Sequence, residues 1–183
     1  MSKIGKQPII LPVGVTCVIH NNLITITWIK GTLSYQYLHQ SVACMQEESQ
    51  IIVSLLNPEH KNIRGLTRTL VSNMVVGVAE GYIKKLQVLW VGYGVKILWS
   101  NLELSIWLSH KVHYVLPASV SVIIEKDAKW NDNMTFTSID KQLLGQTVAT
   151  IRSLKAPEPY KGKGIRYSDE VIKLKAGKAA AKK

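Results

Sequence analysis

The chain of 183 residues is poor in cysteine and in acidic residues, and it lacks a long apolar run. Two cysteines, Cys17 and Cys44, are too few for a disulfide framework and favour a reducing compartment. A membrane-spanning helix needs about 18 consecutive apolar residues. The most apolar stretch is interrupted by Lys96 and Glu103, so the sequence predicts no such helix. The opening residues 1–8 have no apolar segment typical of a signal peptide, so we expect that the protein works where it is made or that this is a mature form.

The motifs of common enzymes are also absent. The sequence has no G-x-S-x-G motif, and its two Gly-x-Gly segments, Gly92–Gly94 and Gly162–Gly164, lack the spacing of a nucleotide loop. His110 and His113 have no carboxylate pair nearby in the sequence. We therefore predict that the protein is not an enzyme and that it needs no cofactor.

Two pairs of residues could contribute zinc ligands, Cys17 with His20 and His39 with Cys44. The spacing within each pair is compatible with zinc, but all four residues lie in segments with strand-like patterns. Their interpretation as ordinary core and turn residues is favoured over a metal site.

Positive charge is abundant and unevenly distributed. The formal net charge is +11, which predicts attraction to polyanions. From Ile151 onward the chain carries ten of its 23 lysines and arginines but three of its 12 acidic residues. Such a one-sided stretch differs from an ordinary solvated surface, where both signs alternate, and it favours a nucleic-acid partner.

Hydrophobic periodicity predicts an α+β protein. Residues 9–55 and 84–139 alternate with the period of strands, with His113–Glu125 as one of the later strand segments. Residues 63–78 and the segment after Asp140 have the period of a helix. We predict two tandem similar small domains, each an antiparallel-rich sheet with one packed helix. The predicted boundaries are 1–82, 83–172 and a basic tail, 173–183.

Turn and cap residues fit this division. Asn62 and Asp140 are the predicted N-caps of the two helices, and Gly81 is predicted to end the first helix. Hairpin turns are predicted at Asn21-Asn22, Lys30-Gly31 and Ser100-Asn101. A weak internal repeat supports two similar units, since the sequence Leu11–Val15 is echoed by Leu116–Val120. Trp90 and Trp99 are expected to pack in or on the second sheet and not to serve as base-stacking platforms.

The most distinctive stretch follows the second helix. Pro157 and Pro159 stiffen it, Gly162 and Gly164 leave its backbone bare, and lysines and tyrosines surround them. Lysine suits phosphate and tyrosine offers an aromatic face, so we predict contact with folded RNA here. The predicted RNA-binding residues are Arg152, Lys155, Tyr160, Lys161, Gly162, Lys163, Gly164, Arg166, Lys173, Lys175 and Lys178.

Nearly the whole chain resembles the ribosomal large-subunit protein six family of the bacterial and plastid type. The most specific motif is Pro157–Tyr167, and similar motifs occur at Ile139–Gln146, Thr69–Val78, Lys84–Leu86 and Val91–Tyr93. The resemblance implies two domains descended from a duplication and binding to large-subunit rRNA near the sarcin-ricin loop. It implies neighbouring ribosomal proteins, and transient translational GTPases, as further partners. A plastid ribosome is the expected location, with the bacterial cytoplasm or a mitochondrion as alternatives.

The sequence departs from the family pattern at a few positions. Trp28, Trp90 and Trp107 stand where the family usually has glycine, Gly94 replaces a usual arginine, and Lys111 replaces a usual proline. A glycine in a strand often marks a bulge or a close backbone approach, so local geometry is expected to differ at these positions.

Two other functions remain possible from the sequence. A free-standing RNA-binding module or RNA chaperone would have the same basic stretch. A small RNA-modifying enzyme would also need a cofactor loop or an acid/base pair, which the sequence does not supply.

Overall fold

The computed structural model describes residues 4–47, 49–99, 101–126 and 131–177. In this part of the chain, the elements are mainly antiparallel strands with two α-helices, which confirms the predicted α+β class. The chain divides into two compact units: Met1–Tyr82 with Ile139–Lys141, and Ile83–Ser138 with Gln142–Lys183. The domain boundaries derived from the sequence stay a prediction.

The first unit contains two three-stranded antiparallel sheets, with strand orders β1-β6-β5 and β2-β3-β4. The strands are β1 Ile9–Ile10, β2 Thr16–His20, β3 Leu23–Trp28, β4 Gly31–Gln36, β5 Val42–Glu47 and β6 Gln50–Leu55. The hairpins predicted at Asn21-Asn22 and Lys30-Gly31 are confirmed, and both contain a residue in the left-handed region, Asn21 at φ 53° and Gly31 at φ 147°.

Strand β5 lies within residues 9–55, for which strands were predicted, but the sequence did not mark it as a separate strand. Its sequence ends on the polar residues Gln46 and Glu47 and has little β-branched character. The strand forms because it pairs with β6 along its whole length, from Val42 opposite Leu55 to Glu47 opposite Gln50. Pairing with a neighbour therefore determines the structure here where local preference does not.

The first helix, α1, spans Lys61–Ala79 and confirms the helix predicted from periodicity. The predicted N-cap at Asn62 is wrong, because Asn62 lies within the first turn and His60 holds the cap position without a side-chain hydrogen bond. The chain enters through a short 3-10 turn, Pro58–His60, whose own cap is Asn57. The N-cap and the start of the helix therefore lie two residues closer to the N-terminus than predicted.

Helix α1 packs on the core of the first unit. Val71, Val75 and Val78 of the helix are buried with Ile24, Ile26 and Ile51 of the strands. Gly81 ends the helix as predicted, with a positive φ of 79° and an N–H donated to Val76 O over 3.2 Å.

The second unit contains a three-stranded sheet of order β10-β9-β8 and a four-stranded sheet of order β11-β12-β7-β13. The strands are β7 Tyr82–Leu89, β8 Gly94–Leu98, β9 Asn101–Ser105, β10 Val112–Val115, β11 Val120–Lys126, β12 Asp132–Ser138 and β13 Gly164–Tyr167. Helix α2, Lys141–Leu154, buries Leu144, Thr147, Val148 and Ile151, and Asp140 directly precedes it as predicted.

Two details of the second unit differ from expectation. The segment His113–Glu125 is not one continuous strand, because Leu116–Ser119 separates β10 from β11. At this break, Val120 donates its N–H to Pro117 O over 2.9 Å, just as Val15 donates to Pro12 O over 3.1 Å in the first unit. The two copies of the internal repeat thus form the same turn before the same kind of hairpin.

The predicted hairpin is confirmed as the β8–β9 connection, but its turn lies one residue earlier than predicted, between the paired residues Leu98 and Asn101. Ser100 lies outside the described residues. Asn101 is the first residue of β9, and Trp99 occupies the turn at φ 57° with its side chain 100% exposed. The expectation that Trp99 packs on the sheet is therefore wrong. The reason is the short connection, which leaves Trp99 at the tip of the hairpin.

Four of the five positions at which the sequence predicts altered local geometry lie around one aromatic cluster. Trp90 and Trp107 meet edge to face with ring centroids 6.5 Å apart. Trp107 adopts a positive φ of 54°, a conformation that costs a bulky residue energy and that glycine adopts freely. Gly94 and Lys111 line the same cavity as Trp90. Trp90, Gly94, Trp107 and Lys111 therefore lie in one region of the second unit, whereas Trp28 lies beside Gly14 in the first unit.

Asp132 supports this region through a buried hydrogen bond. Its side chain is 4% exposed, and Oδ2 accepts the N–H of Val95 over 2.7 Å. Asp132→Ala leaves this buried donor without its partner, which should lower the free energy of unfolding by about 1–3 kcal/mol. Asp132→Asn keeps an acceptor oxygen and should cost less. Urea unfolding of both variants tests this, and equal stability of the alanine variant and the parent would contradict it.

Candidate nucleic-acid interface

A closed loop follows helix α2 and carries most of the predicted site. The N–H of Glu158 donates to Lys163 O over 2.8 Å, and the N–H of Gly162 donates to Glu158 O over 3.0 Å. At the base of the loop, Ile165 N–H donates to Lys155 O over 2.8 Å. These three bonds fix the backbone, so residues 155–165, called the basic loop below, have a defined conformation.

The end of the basic loop is a strand, which the sequence did not predict. Strand β13 pairs antiparallel with β7, placing Gly164 opposite Leu89 and Tyr167 opposite Leu86. Gly164 is buried and has φ 137°, and a Cβ on it would lie 2.8 Å from Lys155 O. Glycine is therefore needed here so that the two ends of the loop can approach each other.

The side chains at the tip differ in their surroundings. Lys161 is exposed, and Tyr160 is 53% exposed, so both are available to a partner. Lys163 is half-buried, and its Nζ lies 3.6 Å from the centroid of the Trp90 ring, a cation–π contact. Gly162 allows the turn between the two lysines with φ 70°. Lys161 is thus the freer of the two predicted lysine contacts.

The two predicted arginines have partners within the protein. Arg152 donates to both carboxylate oxygens of Glu170, with Nε 2.9 Å from Oε2. The hydrogen bond from Arg152 is the main reason why the pKa of Glu170 lies below its usual value. Arg166 donates to the side-chain oxygen of Gln87 through Nε over 3.2 Å and through a terminal nitrogen over 3.1 Å. Arg152 therefore connects helix α2 to the segment after β13, and Arg166 connects β13 to β7.

The start of the basic tail lies against the loop. Lys175 donates its N–H to Pro159 O over 2.8 Å, and the Leu174 side chain lies beside Gly162. Lys173 and Lys175 are exposed. The contact therefore adds two lysines to those of the loop. The remaining predicted site residue, Lys178, lies outside the described residues.

One neighbouring pair of cations was missed in the sequence. Lys84 and Lys85 are exposed on β7, the strand that pairs with β13. Lys84 Nζ lies 5.9 Å from the ring centroid of Tyr167, and Lys85 O accepts the N–H of Ser168 over 3.1 Å. The adjacent lysines were visible in the sequence as a signal, but only the pairing of β7 with β13 connects them to the site.

The structure gives no support to a metal site. Among the described residues, no three His, Cys, Asp or Glu side chains are grouped as metal ligands. Burial raises the pKa of the Cys44 thiol to about 11, and the neighbouring Cys17 adds to this effect. No helix in the described ranges is long and apolar enough to cross a membrane.

Two sheet-rich units form a small basic α+β protein. One unit carries a closed loop that exposes Lys161, and the adjoining tail exposes Lys173 and Lys175, which gives a surface suited to a polyanion. Residues 91–168 match the sequence profile of ribosomal protein L6. Over the full length of both chains, the sequence is 44% identical to "Large ribosomal subunit protein uL6" of Chloroflexus aggregans. The proteins of the same name from Bacteroides thetaiotaomicron and Salinibacter ruber are 41% and 40% identical, again over all of both chains.

The chain therefore belongs to the ribosomal protein L6 family, and the resemblance inferred from its motifs is confirmed. These relatives come from bacteria. They fit the bacterial alternative for the location and give no support to the predicted plastid ribosome.

Proposed function

We propose that the protein is a structural constituent of the large ribosomal subunit of a bacterium and binds large-subunit rRNA through the basic loop and tail. Relatives that match over their full length carry the name of a large-subunit protein. The observation that carries the proposal is the closed loop, which holds Lys161 at its tip and is joined by the tail with Lys173 and Lys175. The proposed place in the subunit is near the sarcin-ricin loop and the site of translational GTPases.

The proposed mechanism is electrostatic and involves no chemical step. Exposed lysines replace the counterions of crowded phosphates, and their release drives binding. Gly162 leaves the backbone accessible at the tip, where a strand of RNA can approach closely. The salt bridge of Arg152 and the hydrogen bonds of Arg166 keep the loop in position, which lowers the entropy cost of binding. Tyr160 offers an exposed aromatic face for a base.

Neutralising lysines of the loop should weaken binding and make it less sensitive to salt. For Lys161→Gln/Lys163→Gln, we expect the slope of log affinity against log salt to fall by about one for each lost phosphate contact. Binding of the purified protein to large-subunit rRNA over a salt series measures this slope. Lys61→Gln, an exposed lysine at the start of α1, removes a charge from the first unit and should leave the slope nearly unchanged. An unchanged slope in the double variant would exclude the loop as the contact.

A free-standing RNA-binding module or RNA chaperone is the alternative, and sedimentation separates it from a ribosomal constituent. A constituent should stay with large subunits in a high-salt wash, since its contacts there are numerous and buried. A module that binds many RNAs through surface charge should dissociate completely under the same conditions. The observation that favours the constituent is the full-length match to large-subunit proteins.

A further inference from the structure

A second candidate site lies within the second unit, at the aromatic cluster of Trp90 and Trp107. It is a cavity of about 640 Å³, a size typical of pockets for small ligands. It is lined by the connection between β7 and β8 and by residues of β8, β9, β11 and β12. The residues that matter for its chemistry are Trp90, Tyr93, Lys96, Glu103, Lys111 and Lys126.

One wall of the cavity is aromatic and held in place. Trp90 and Tyr93 line it, and Trp107 packs edge-on against both, with centroid distances of 6.5 Å and 6.3 Å. The ammonium group of Lys163 lies on the Trp90 ring and fixes it further. A rigid aromatic wall favours a planar ligand, because little side-chain freedom is lost on binding.

The acidic groups in the cavity are already neutralised or bonded. Glu103 forms an ion pair with Lys111 at 3.0 Å, and the hydrogen bond from Lys111 lowers the pKa of Glu103. Oδ2 of Asp132 accepts the hydrogen bond from the N–H of Val95 over 2.7 Å. The two carboxylates should therefore repel an anionic ligand only weakly.

Two further lysines provide positive charge to the cavity. Lys96 of β8 and Lys126 at the end of β11 are exposed and line the cavity. Within the described part of the chain, neither has an ion pair or a side-chain hydrogen bond. Lysine ammonium groups bind phosphate as mobile point charges. Lys96 lies opposite Glu103 in the β8–β9 pair, and after the hydrogen bond from Lys111 its charge also helps to lower the pKa of Glu103. The cavity thus combines an aromatic wall with three lysines and two carboxylates, which leaves positive charge in excess.

We propose that this cavity binds a nucleotide, with the base against Trp90 and Tyr93 and the phosphate near Lys96 and Lys126. A base and a phosphate are the two groups that such a wall and such cations recognise together. The same chemistry is offered by a free mononucleotide and by one nucleotide of a single-stranded RNA. The inference does not depend on the proposed ribosomal function, since it uses the geometry of the second unit alone.

Calorimetry and quenching of tryptophan fluorescence with adenosine monophosphate, a short single-stranded RNA and inorganic phosphate test the proposal. We expect saturable binding of the mononucleotide or of the RNA. Lys96→Gln/Lys126→Gln should lower that affinity about tenfold or more, since hydrogen bonds to charged groups are the stronger ones. Tyr93→Leu should weaken binding of the nucleotide about tenfold and leave the weak binding of inorganic phosphate unchanged. Lys6→Gln/Lys61→Gln removes two exposed lysines of the first unit, so it is the charge-matched control and should bind as the parent does.

The outcomes distinguish the two possible ligands, a free mononucleotide and a nucleotide of a single-stranded RNA. Binding of the mononucleotide identifies a free nucleotide as sufficient, and binding of the RNA alone identifies a strand as the source. The proposal is overturned if neither ligand binds saturably, or if the double lysine variant retains full affinity. Melting curves show whether each variant is folded. If Tyr93→Leu unfolds, the affinity of Lys96→Gln/Lys126→Gln still tests the proposal, because both lysines are exposed and their replacement should leave the fold intact. Retention on large subunits in high salt is scored separately, so failure of the cavity leaves the proposed ribosomal function untouched.

Discussion

Gly77→Ala should destabilise the first unit by about 3 kcal/mol or more. Gly77 is buried in α1, and a Cβ on it would lie 2.0 Å from the backbone oxygen of Ile139 and 3.2 Å from the Tyr82 ring. The oxygen belongs to the backbone, so it cannot move aside as a flexible side chain could, and the helix must shift away from its core contacts. Urea unfolding, together with hydrogen exchange of the α1 amides, measures the effect in the first unit.

Gly65→Ala is the matched control in the same helix. Nothing lies within 4 Å of a Cβ at Gly65, so the substitution adds helix propensity without a clash. It should raise stability by about 0.5–1 kcal/mol. If Gly77→Ala were as stable as Gly65→Ala, the close approach of α1 to Ile139 would be wrong.

Gly164→Ala should damage the basic loop more than the loss of any single charge. A Cβ at Gly164 would lie 2.8 Å from Lys155 O, 2.8 Å from Ala156 O and 2.9 Å from Pro157 Cα, and φ is 137°. Strain and backbone overlap act together, so we expect a loss of about 3 kcal/mol or more in stability. Binding to large-subunit rRNA should weaken although the net charge is unchanged, because the lysines lose their defined positions.

The control for Gly164→Ala is Gly145→Ala, an exposed position of α2 with open space around it. This variant should be slightly more stable than the parent and should bind RNA equally well. Unfolding curves and RNA affinities of the two variants are compared side by side. Full RNA affinity in a folded Gly164→Ala variant would show that loop closure is not needed for binding.

The two helices were predictable because periodicity and end signals are local in the sequence. α1 and α2 follow their apolar periods, and Gly81 ends α1 with the expected positive φ. Strands β5 and β13 were not predictable in the same way, because each forms through pairing with another strand and not through its own local preference. The partner of β5 is the next strand along the chain, and the partner of β13 is distant. Val42–Glu47 pairs with β6, and Gly164–Tyr167 pairs with β7 more than 70 residues earlier.

In the candidate site, too, the features with a local sequence signal were predicted and those that depend on the fold were not. Lys161 and Gly162 were found because their pattern is contiguous in the sequence. The engagement of Arg152 with Glu170 was not predictable, because a side-chain pair depends on the fold and not on residue type. The aromatic cavity is lined by residues that are spread over positions 90–132, so no single sequence motif predicts it. Its role, and the contacts of the predicted RNA-binding residues, stay predictions.

The central claim is that the basic loop and the adjoining tail contact large-subunit rRNA in the assembled subunit. Mapping protein–RNA crosslinks on intact large subunits tests it most directly. The proposal predicts crosslinks from Lys161, Lys173 and Lys175 to large-subunit rRNA close to the sarcin-ricin loop. Crosslinks confined to the first unit, with none from residues 155–177, would contradict it.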